Sequence, residues 1–205
     1  MPSDPVLPRC RLMLVLPPAL PAEAAAAWVK AGDVAAVIAT LPAGGEVAAL
    51  ETLRALCETV QAAGAAFLVE DRPDIAGAIK ADGVHVASLA ALARALKSVK
   101  PDGIAGVGLS SRHDAMEAGE AGADYLLFGG LDGSDPIGPV ADLVNWWAEL
   151  FEVPCVGVAT TLEDAQALAA AGADFIALAA LPDGADGAAL IAAVDRHLAS
   201  LERGA

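Results

Sequence analysis

Apolar runs of strand length recur along this chain and alternate with alanine-rich stretches of helical length. The runs are continuously apolar rather than alternating, which is typical of strands buried on both faces of a parallel sheet. The predicted strands are Leu12–Leu16, Val34–Thr40, Ala66–Glu70, Gly83–Val86, Ile104–Leu109, Tyr125–Phe128, Cys155–Val158 and Phe175–Leu178. The predicted helices are Ala22–Ala31, Val47–Ala63, Pro73–Ala81, Ala90–Val99, His113–Ala121, Val140–Leu150, Leu162–Ala171 and Ala188–Leu201.

A short signal precedes six of the eight apolar runs: KAGDVAAVIA, QAAGAAFLVE, IKADGVHVAS, VKPDGIAGVG, EAGADYLLFG and AAGADFIALA. Gly or another small residue ends the preceding helix, because Gly adopts positive φ at no steric cost, and Asp or a small residue then begins the strand. Eight consecutive strand–helix units predict an α/β fold, a compact (β/α)8 TIM barrel. We expect this barrel to form a single domain over residues 11–203, with residues 1–10 as a flexible N-terminal segment. An open doubly wound sheet is the alternative fold.

The two ends of such a barrel have different roles. The Gly-Ala-Asp signals fall where helices lead into strands, at the bottom, which predicts structural roles for Asp124 and Asp174. Active sites lie at the opposite end, where strands run into the following loops. Of the 12 basic residues, only Arg72 and Arg112 fall at that end, together with six acids. These acids are Glu70, Asp71, Asp132, Asp135, Asp183 and Asp186. A diphosphate site usually needs several bases, a bridging metal or free backbone amides, so this mouth is predicted to be poor in phosphate-binding groups.

Composition excludes several classes of function. The net charge of −15, from 27 acids and 12 bases, argues against binding to nucleic acids or anionic membranes, which require a basic patch. The sequence shows no apolar run long enough for a membrane span and no signal peptide, so we expect a cytoplasmic protein. Cys10, Cys57 and Cys155 lack metal-ligand spacing and are expected to be buried, reduced thiols.

Three stretches carry a resemblance to a known family. VEDRPDIAGAIKADGVHV, residues 69–86, is close to the family pattern Asn-Asp-Arg-x-Asp-x-Ala followed by Ala-Asp-Gly-Val-His-Leu. EAGADYLLFGG, residues 120–130, is close to its Gly-Ala-Asp-Tyr-x-x-x-Gly segment, and residues 153–178 fit its seventh and eighth units. In these segments the chain resembles the thiamine-phosphate synthase family, including its TenI-like thiazole tautomerase branch. The resemblance covers nearly the whole chain and also implies a TIM barrel.

The resemblance implies a reaction and a cofactor. Synthases of this family join hydroxymethylpyrimidine diphosphate to thiazole phosphate with Mg²⁺ and release diphosphate, so the protein must stabilise the departing anion. Asp71 matches a family magnesium ligand, Arg72 the arginine beside it, and His85 a histidine near the pyrimidine. The candidate site residues are therefore His85 and Arg72 as catalytic groups, Glu70, Arg112 and His113 as substrate-binding groups, and Asp71 as the metal ligand.

Most of the family's anion-binding groups are replaced in this chain. The second strand carries VIATL instead of Gln-x-Arg-x-Lys, and the second magnesium-binding aspartate falls at about Ala90. The lysine-bearing loop after strand six reads GGLDGSDPIGP, and the phosphate-binding Gly-Gly after strand seven reads Ala159-Thr160. The charge count and the family comparison both predict impaired or lost synthase activity, with Mg²⁺ as cofactor only if that activity is retained.

Three hypotheses therefore stand. The chain is a family enzyme acting on a thiamine-precursor-like small molecule; or it is a degenerate homologue that serves as a ligand-binding or regulatory barrel or acts on a less anionic substrate; or it is a structural homo-oligomer. For the third hypothesis, the helix Val140–Leu150 supplies the expected subunit contact. Its adjacent Trp146 and Trp147 cannot face the same way, so one is predicted to pack on the barrel and the other to be free for a partner.

Overall fold

Eight parallel strands close into a barrel in the computed structural model of the chain, which describes residues 9–17, 20–41 and 46–202. Each strand pairs with the next along the chain, and the first pairs with the last, so the open-sheet alternative is wrong and the TIM barrel is confirmed. The strands are β1 (Arg11–Leu16), β2 (Val34–Ala39), β3 (Ala66–Glu70), β4 (Gly83–Val86), β5 (Ile104–Leu109), β6 (Tyr125–Phe128), β7 (Cys155–Ala159) and β8 (Phe175–Leu178). Apart from its last two residues, the predicted flexible segment 1–10 lies outside the described part of the chain.

One helix follows each strand and covers the outside of the barrel. The helices are α1 (Ala22–Val29), α2 (Glu46–Ala62), α3 (Pro73–Ile79), α4 (Leu89–Val99), α5 (Arg112–Ala121), α6 (Ile137–Leu150), α7 (Leu162–Ala170) and α8 (Gly184–Glu202). All sixteen predicted elements are present, and their ends differ from prediction by at most four residues. Helix α6 begins earlier than predicted because Pro139 lies in its first turn, where proline is tolerated.

The barrel strands are apolar on both faces because each face packs on a different core. On β6, Leu126 and Phe128 belong to the core between strands and helices. Tyr125 and Leu127 point the opposite way, into a separate cluster inside the barrel. This double burial explains why the strands read as continuous apolar runs.

The recurring aspartate at the helix-to-strand transition forms a reciprocal pair of hydrogen bonds with the preceding strand. In three units its carboxylate accepts the amide hydrogen of the first or second residue of that strand, and its own amide donates to the carbonyl of the same residue. The carboxylate bonds join Asp82 to Phe67, Asp124 to Ala105 and Asp174 to Cys155, at 2.7, 2.7 and 2.8 Å. The structure thereby gives Asp124 and Asp174 the structural role that the sequence predicted.

The paired tryptophans of α6 face different surroundings. Trp147 is buried, and its indole Nε1 donates a hydrogen bond of 2.7 Å to the carbonyl of Val153. Trp146 is half-buried, and Leu150, one turn further on, is 63% exposed. The predicted subunit contact on this helix stays a prediction. Among the described helices, none combines the length and the hydropathy that crossing a bilayer would demand.

Candidate functional site

At the carboxyl ends of the strands, the end at which the sequence predicted a site, two cavities are large enough for a small organic ligand. The cavity over β3 to β6 has a volume of about 470 Å³, and a neighbouring cavity over β1, β2 and β8 has about 510 Å³. Glu70, Leu131 and Asp132 line both, so the cavities form one divided mouth. Each volume lies in the range that holds a small organic ligand.

Glu70 and His85 are the two predicted site residues that the fold brings together in this mouth. They are register partners on β3 and β4, and both line the cavity over β3 to β6. Burial raises the pKa of the half-buried Glu70 carboxyl, and the charge of Asp71 raises it further, against a hydrogen bond from the backbone of Leu41. Glu70 therefore keeps its proton to a higher pH than an exposed glutamate.

His85 lies deeper, on the floor of the mouth, and is 1% exposed. Its Nδ1 is 2.9 Å from the hydroxyl of Tyr125, and the two rings stack at 5.8 Å between centroids. Burial lowers the pKa of His85 to about 4, so the imidazole is neutral at physiological pH. Burial also raises the pKa of Tyr125, which keeps its hydroxyl protonated.

Two glycines on β5 make room for this pair. A Cβ at Gly106 would overlap the ring of Tyr125, and a Cβ at Gly108 would lie 3.3 Å from Nε2 of His85. Gly108 and His85 both line the mouth cavity, so the absence of a side chain at Gly108 leaves space beside Nε2. Sequence reasoning missed Tyr125. The signal that could have found it is the inward-facing Gly106-x-Gly108 pattern, which leaves space for large side chains from the neighbouring strands.

Asp71 connects the loops that follow β3 and β4. Its amide donates to the carbonyl of His85 at 2.8 Å, and its Oδ1 accepts the amide hydrogen of Ala87 at 3.0 Å. The residue adopts a φ of +50°, in the left-handed region that favours glycine. The exposed carboxylate is thus used, at least in part, to hold the rim of the mouth.

The other three predicted site residues are Arg72, Arg112 and His113. Among the described residues that line the two mouth cavities, none of these three occurs. The guanidinium of Arg72 binds Asp74 through two hydrogen bonds of 2.8 and 2.6 Å. Arg112 places its guanidinium 5.0 Å from the ring centroid of Trp146, a cation–π contact. His113 Nε2 is 3.1 Å from a carboxylate oxygen of Glu117. The roles that the sequence assigned to these three residues stay predictions.

Carboxylates dominate the mouth. Among the described residues, the two cavities are lined by acids and by no lysine or arginine. The acids are Glu70, Asp114, Asp132, Asp135 and Asp183. Residues 18–19 follow β1 and residues 42–45 follow β2 in the sequence, and neither segment belongs to the described residues. Neither contains a basic residue.

Five loop amides at this end are satisfied by the chain's own carboxylates, although such amides bind anions in other barrels. The bonds run from Ala87 to Asp71 (3.0 Å), from Gly130 to Asp135 (2.7 Å), from Ser134 to Asp132 (3.1 Å), and from Thr160 and Thr161 to Asp164 (3.2 and 3.1 Å). Hydrogen bonds from Ser134 also lower the pKa of Asp132, so this carboxylate stays charged. These amides are consequently not free for a phosphate.

The donor set does not fit a protein-held Mg²⁺. In the described part of the chain, no three side chains of His, Cys, Asp or Glu type converge on one point. The predicted ligand Asp71 already uses one oxygen for the amide of Ala87, and the second family position carries Ala90. Mg²⁺ usually takes one or two carboxylates together with substrate phosphates, and this mouth offers little to hold such phosphates.

Comparisons with known proteins give consistent results. The family model of thiamine monophosphate synthase, TMP-TENI, matches residues 12–181. The chain is 43% identical over 180 residues to the thiamine-phosphate synthase of Rhodospirillum centenum, covering 82% of this chain and 87% of that protein. It is 37% identical over 159 residues to the thiamine-phosphate synthase of Erythrobacter litoralis, covering 73% of each.

A solved structure agrees with the fold. The thiamine phosphate pyrophosphorylase of Pyrococcus furiosus superposes with a TM-score of 0.79 at 22% sequence identity. The superposition covers 93% of this chain and 96% of that protein, so the barrel architecture is shared over nearly its full length.

Proposed function

The chain belongs to the thiamine monophosphate synthase family, and from that premise we propose that it binds an unphosphorylated thiamine-precursor-like heterocycle and has impaired or lost synthase activity. The ligand sits in the divided mouth, against Glu70 and His85. The observation that carries the proposal is the acidic lining of the mouth, which in the described residues contains no lysine or arginine.

Electrostatics support the preference for an unphosphorylated ligand. A phosphate or diphosphate entering this mouth would approach several carboxylates, and like charges repel most strongly where water is partly excluded. A neutral thiazole or aminopyrimidine carries no such penalty, and a cationic ring would be attracted. The mouth therefore favours the organic parts of the family substrates over their phosphate groups.

The loops also lack the groups that would offset this repulsion. The amides of Ala87, Gly130 and Thr161 already bind carboxylates, so a phosphate would have to displace these bonds. Each charge-assisted phosphate contact that is lost typically costs about 1.5–3 kcal/mol. Diphosphate departure, the central event of the family reaction, would find little stabilisation here.

The test is a steady-state assay of thiamine phosphate formation from hydroxymethylpyrimidine diphosphate and thiazole phosphate with Mg²⁺. The Rhodospirillum centenum relative, assayed in parallel, serves as the positive control. With two or more phosphate contacts missing, we expect a kcat/KM at least about a hundredfold below that of the relative. A kcat/KM within a few fold of the relative would contradict the proposal.

A second candidate is a working synthase, favoured by the 43% identity to a thiamine-phosphate synthase over most of both chains. In that case Mg²⁺ is the cofactor, and Asp71 is its predicted ligand. Robust turnover that falls with Asp71→Ala, and not with Asp142→Ala on the exposed face of α6, would establish this candidate instead.

A further inference from the structure

We infer that Tyr125 is a positioning residue that holds His85 in the tautomer with its proton on Nε2, so that a neutral imidazole offers a hydrogen-bond donor to the mouth cavity. The ligand in this inference rests on the proposed function. The tautomer is a property of the protein alone, and the two can therefore fail separately.

The hydrogen-bond balance inside the barrel determines the direction of the bond between these rings. The Tyr125 hydroxyl has one hydrogen to donate, and among the described residues Nδ1 of His85 is its hydrogen-bond partner. The ring otherwise lies among apolar side chains, including Leu68 and Phe175. A buried hydroxyl left without an acceptor costs about 1–3 kcal/mol, so the hydroxyl donates and Nδ1 accepts. The imidazole proton then resides on Nε2.

Nε2 faces the ligand space. The Cβ position at Gly108, a residue that lines the cavity, is 3.3 Å from Nε2. In the described part of the chain, no protein group forms a hydrogen bond with this nitrogen. A ligand that places a ring nitrogen, carbonyl or hydroxyl oxygen against the cavity floor would satisfy the N–H donor, which a purely apolar ligand would leave unpaired.

The fixed tautomer also bears on charge. An imidazolium would attract a phosphate, but an imidazole whose Nδ1 accepts the hydroxyl hydrogen of Tyr125 carries no charge. His85 therefore selects ligands by hydrogen bonding and does not relieve the shortage of bases in the mouth. The ligand class is an unphosphorylated nitrogen heterocycle with an acceptor atom directed at Nε2.

The tautomer is tested by long-range proton–nitrogen correlation spectra of the ¹⁵N-labelled protein at neutral pH. The chain has three histidines, and His85→Asn identifies the signals of His85 while His197→Asn serves as the matched control. We expect one dominant form with the proton on Nε2. A proton on Nδ1, or an even mixture of both forms, would overturn the inference.

In Tyr125→Phe we expect a shift toward a mixture of the two tautomers, and a spectrum unchanged from that of the wild type would also overturn the inference. The wild-type spectrum decides alone if this variant does not fold.

Titration with unphosphorylated hydroxymethylpyrimidine tests the contact with the ligand. Tyr125→Phe and Gly108→Ala should each weaken binding about five- to tenfold. Tyr125→Phe removes the hydrogen bond that keeps the proton of His85 on Nε2, and Gly108→Ala places a methyl group beside Nε2. His197→Asn should bind as the wild type does. If the tautomer is fixed but the probe does not bind, the proposed function fails and the role of Tyr125 stands. If the probe binds equally well to wild type and Tyr125→Phe, the positioning role is wrong.

Discussion

Burial of His85 inside the barrel couples its protonation to the stability of the fold. The pKa falls from an ordinary value of about 6.5 in the unfolded chain to about 4 in the folded protein. Between these pH values His85 is protonated in the unfolded chain but not in the folded protein. The contribution of His85 to the unfolding free energy is therefore at its maximum above pH 6.5 and declines as the pH falls toward 4.

Replacement of His85 by Asn removes this proton uptake. Between pH 7.5 and pH 5 the wild type should lose about 2 kcal/mol more unfolding free energy than His85→Asn. Urea unfolding of both proteins across this pH range measures the difference, and His197→Asn is the matched control. Parallel pH profiles for wild type and His85→Asn would show that His85 is not held neutral by burial.

Individual residues also show where sequence reasoning reached its limit. Glu70 and His85 could be placed in the mouth because they lie at or next to the ends of buried strands, and strand ends meet at one edge of a barrel. The partners of Arg72 and Arg112 could not be foreseen, because they depend on side-chain directions at helix starts. Arg72 reaches two residues along the chain to Asp74, and Arg112 crosses to Trp146 on the next helix.

At the scale of elements, the helix-to-strand signal makes a quantitative prediction. Asp174→Ala leaves the buried amide of Cys155 without its partner, so we expect a loss of about 1–3 kcal/mol of unfolding free energy. Asp142→Ala, on the exposed face of α6, should change stability by no more than about 0.5 kcal/mol. Urea denaturation measures both. Equal effects would mean that the aspartate is a turn former without a specific bond.

The glycines of β5 provide a second test at this scale. Gly106→Ala pushes a methyl group into the Tyr125 ring and should destabilise the barrel by about 1–3 kcal/mol or more. Gly77→Ala, on α3, places its methyl group in open space and should gain up to about 1 kcal/mol from helix propensity. Thermal unfolding of the two variants checks the opposite signs. A neutral Gly106→Ala would show that the space for Tyr125 is not tightly packed.

The elements themselves were largely predictable. Buried parallel strands give unbroken apolar runs, and a short signal of Gly, Asp or small residues precedes six of the eight, so every strand was located. The ends of helices were less predictable where local signals conflict. The Gly-Pro pair at Gly138-Pro139 suggested a loop, but proline fits the first turn of α6.

At the scale of the whole molecule, the net charge of −15 and the acidic mouth act in the same direction. Asp132 and Asp135 are the exposed acids of the loop after β6, and both line the cavity over β3 to β6. Asp132→Asn together with Asp135→Asn should therefore weaken the discrimination against a phosphorylated ligand. Calorimetric titration with hydroxyethylthiazole phosphate should show tighter binding by the double variant than by wild type, with the gap narrowing at high salt. An unchanged affinity would mean that repulsion by this loop does not set the preference.

The sequence predicted the barrel and its acidic mouth, but not the structural use of the acids. Charge counts show how many carboxylates reach one end of the barrel. They do not show that Asp71, Asp135 and Asp164 bind backbone amides of the loops at this end of the barrel, because these bonds depend on loop conformation. The satisfied amides are the finding that most separates this mouth from a phosphate site.

The most direct test of the account is a paired calorimetric titration of the wild-type protein with hydroxyethylthiazole and with its phosphate ester, in one buffer containing Mg²⁺. The two ligands share the ring and differ in the phosphate, so the ratio of their affinities reports the mouth's response to that group. We predict that the unphosphorylated thiazole binds at least about tenfold more tightly than the ester, a difference of about 1.4 kcal/mol. Tighter binding of the ester, or binding of neither ligand, would contradict the account.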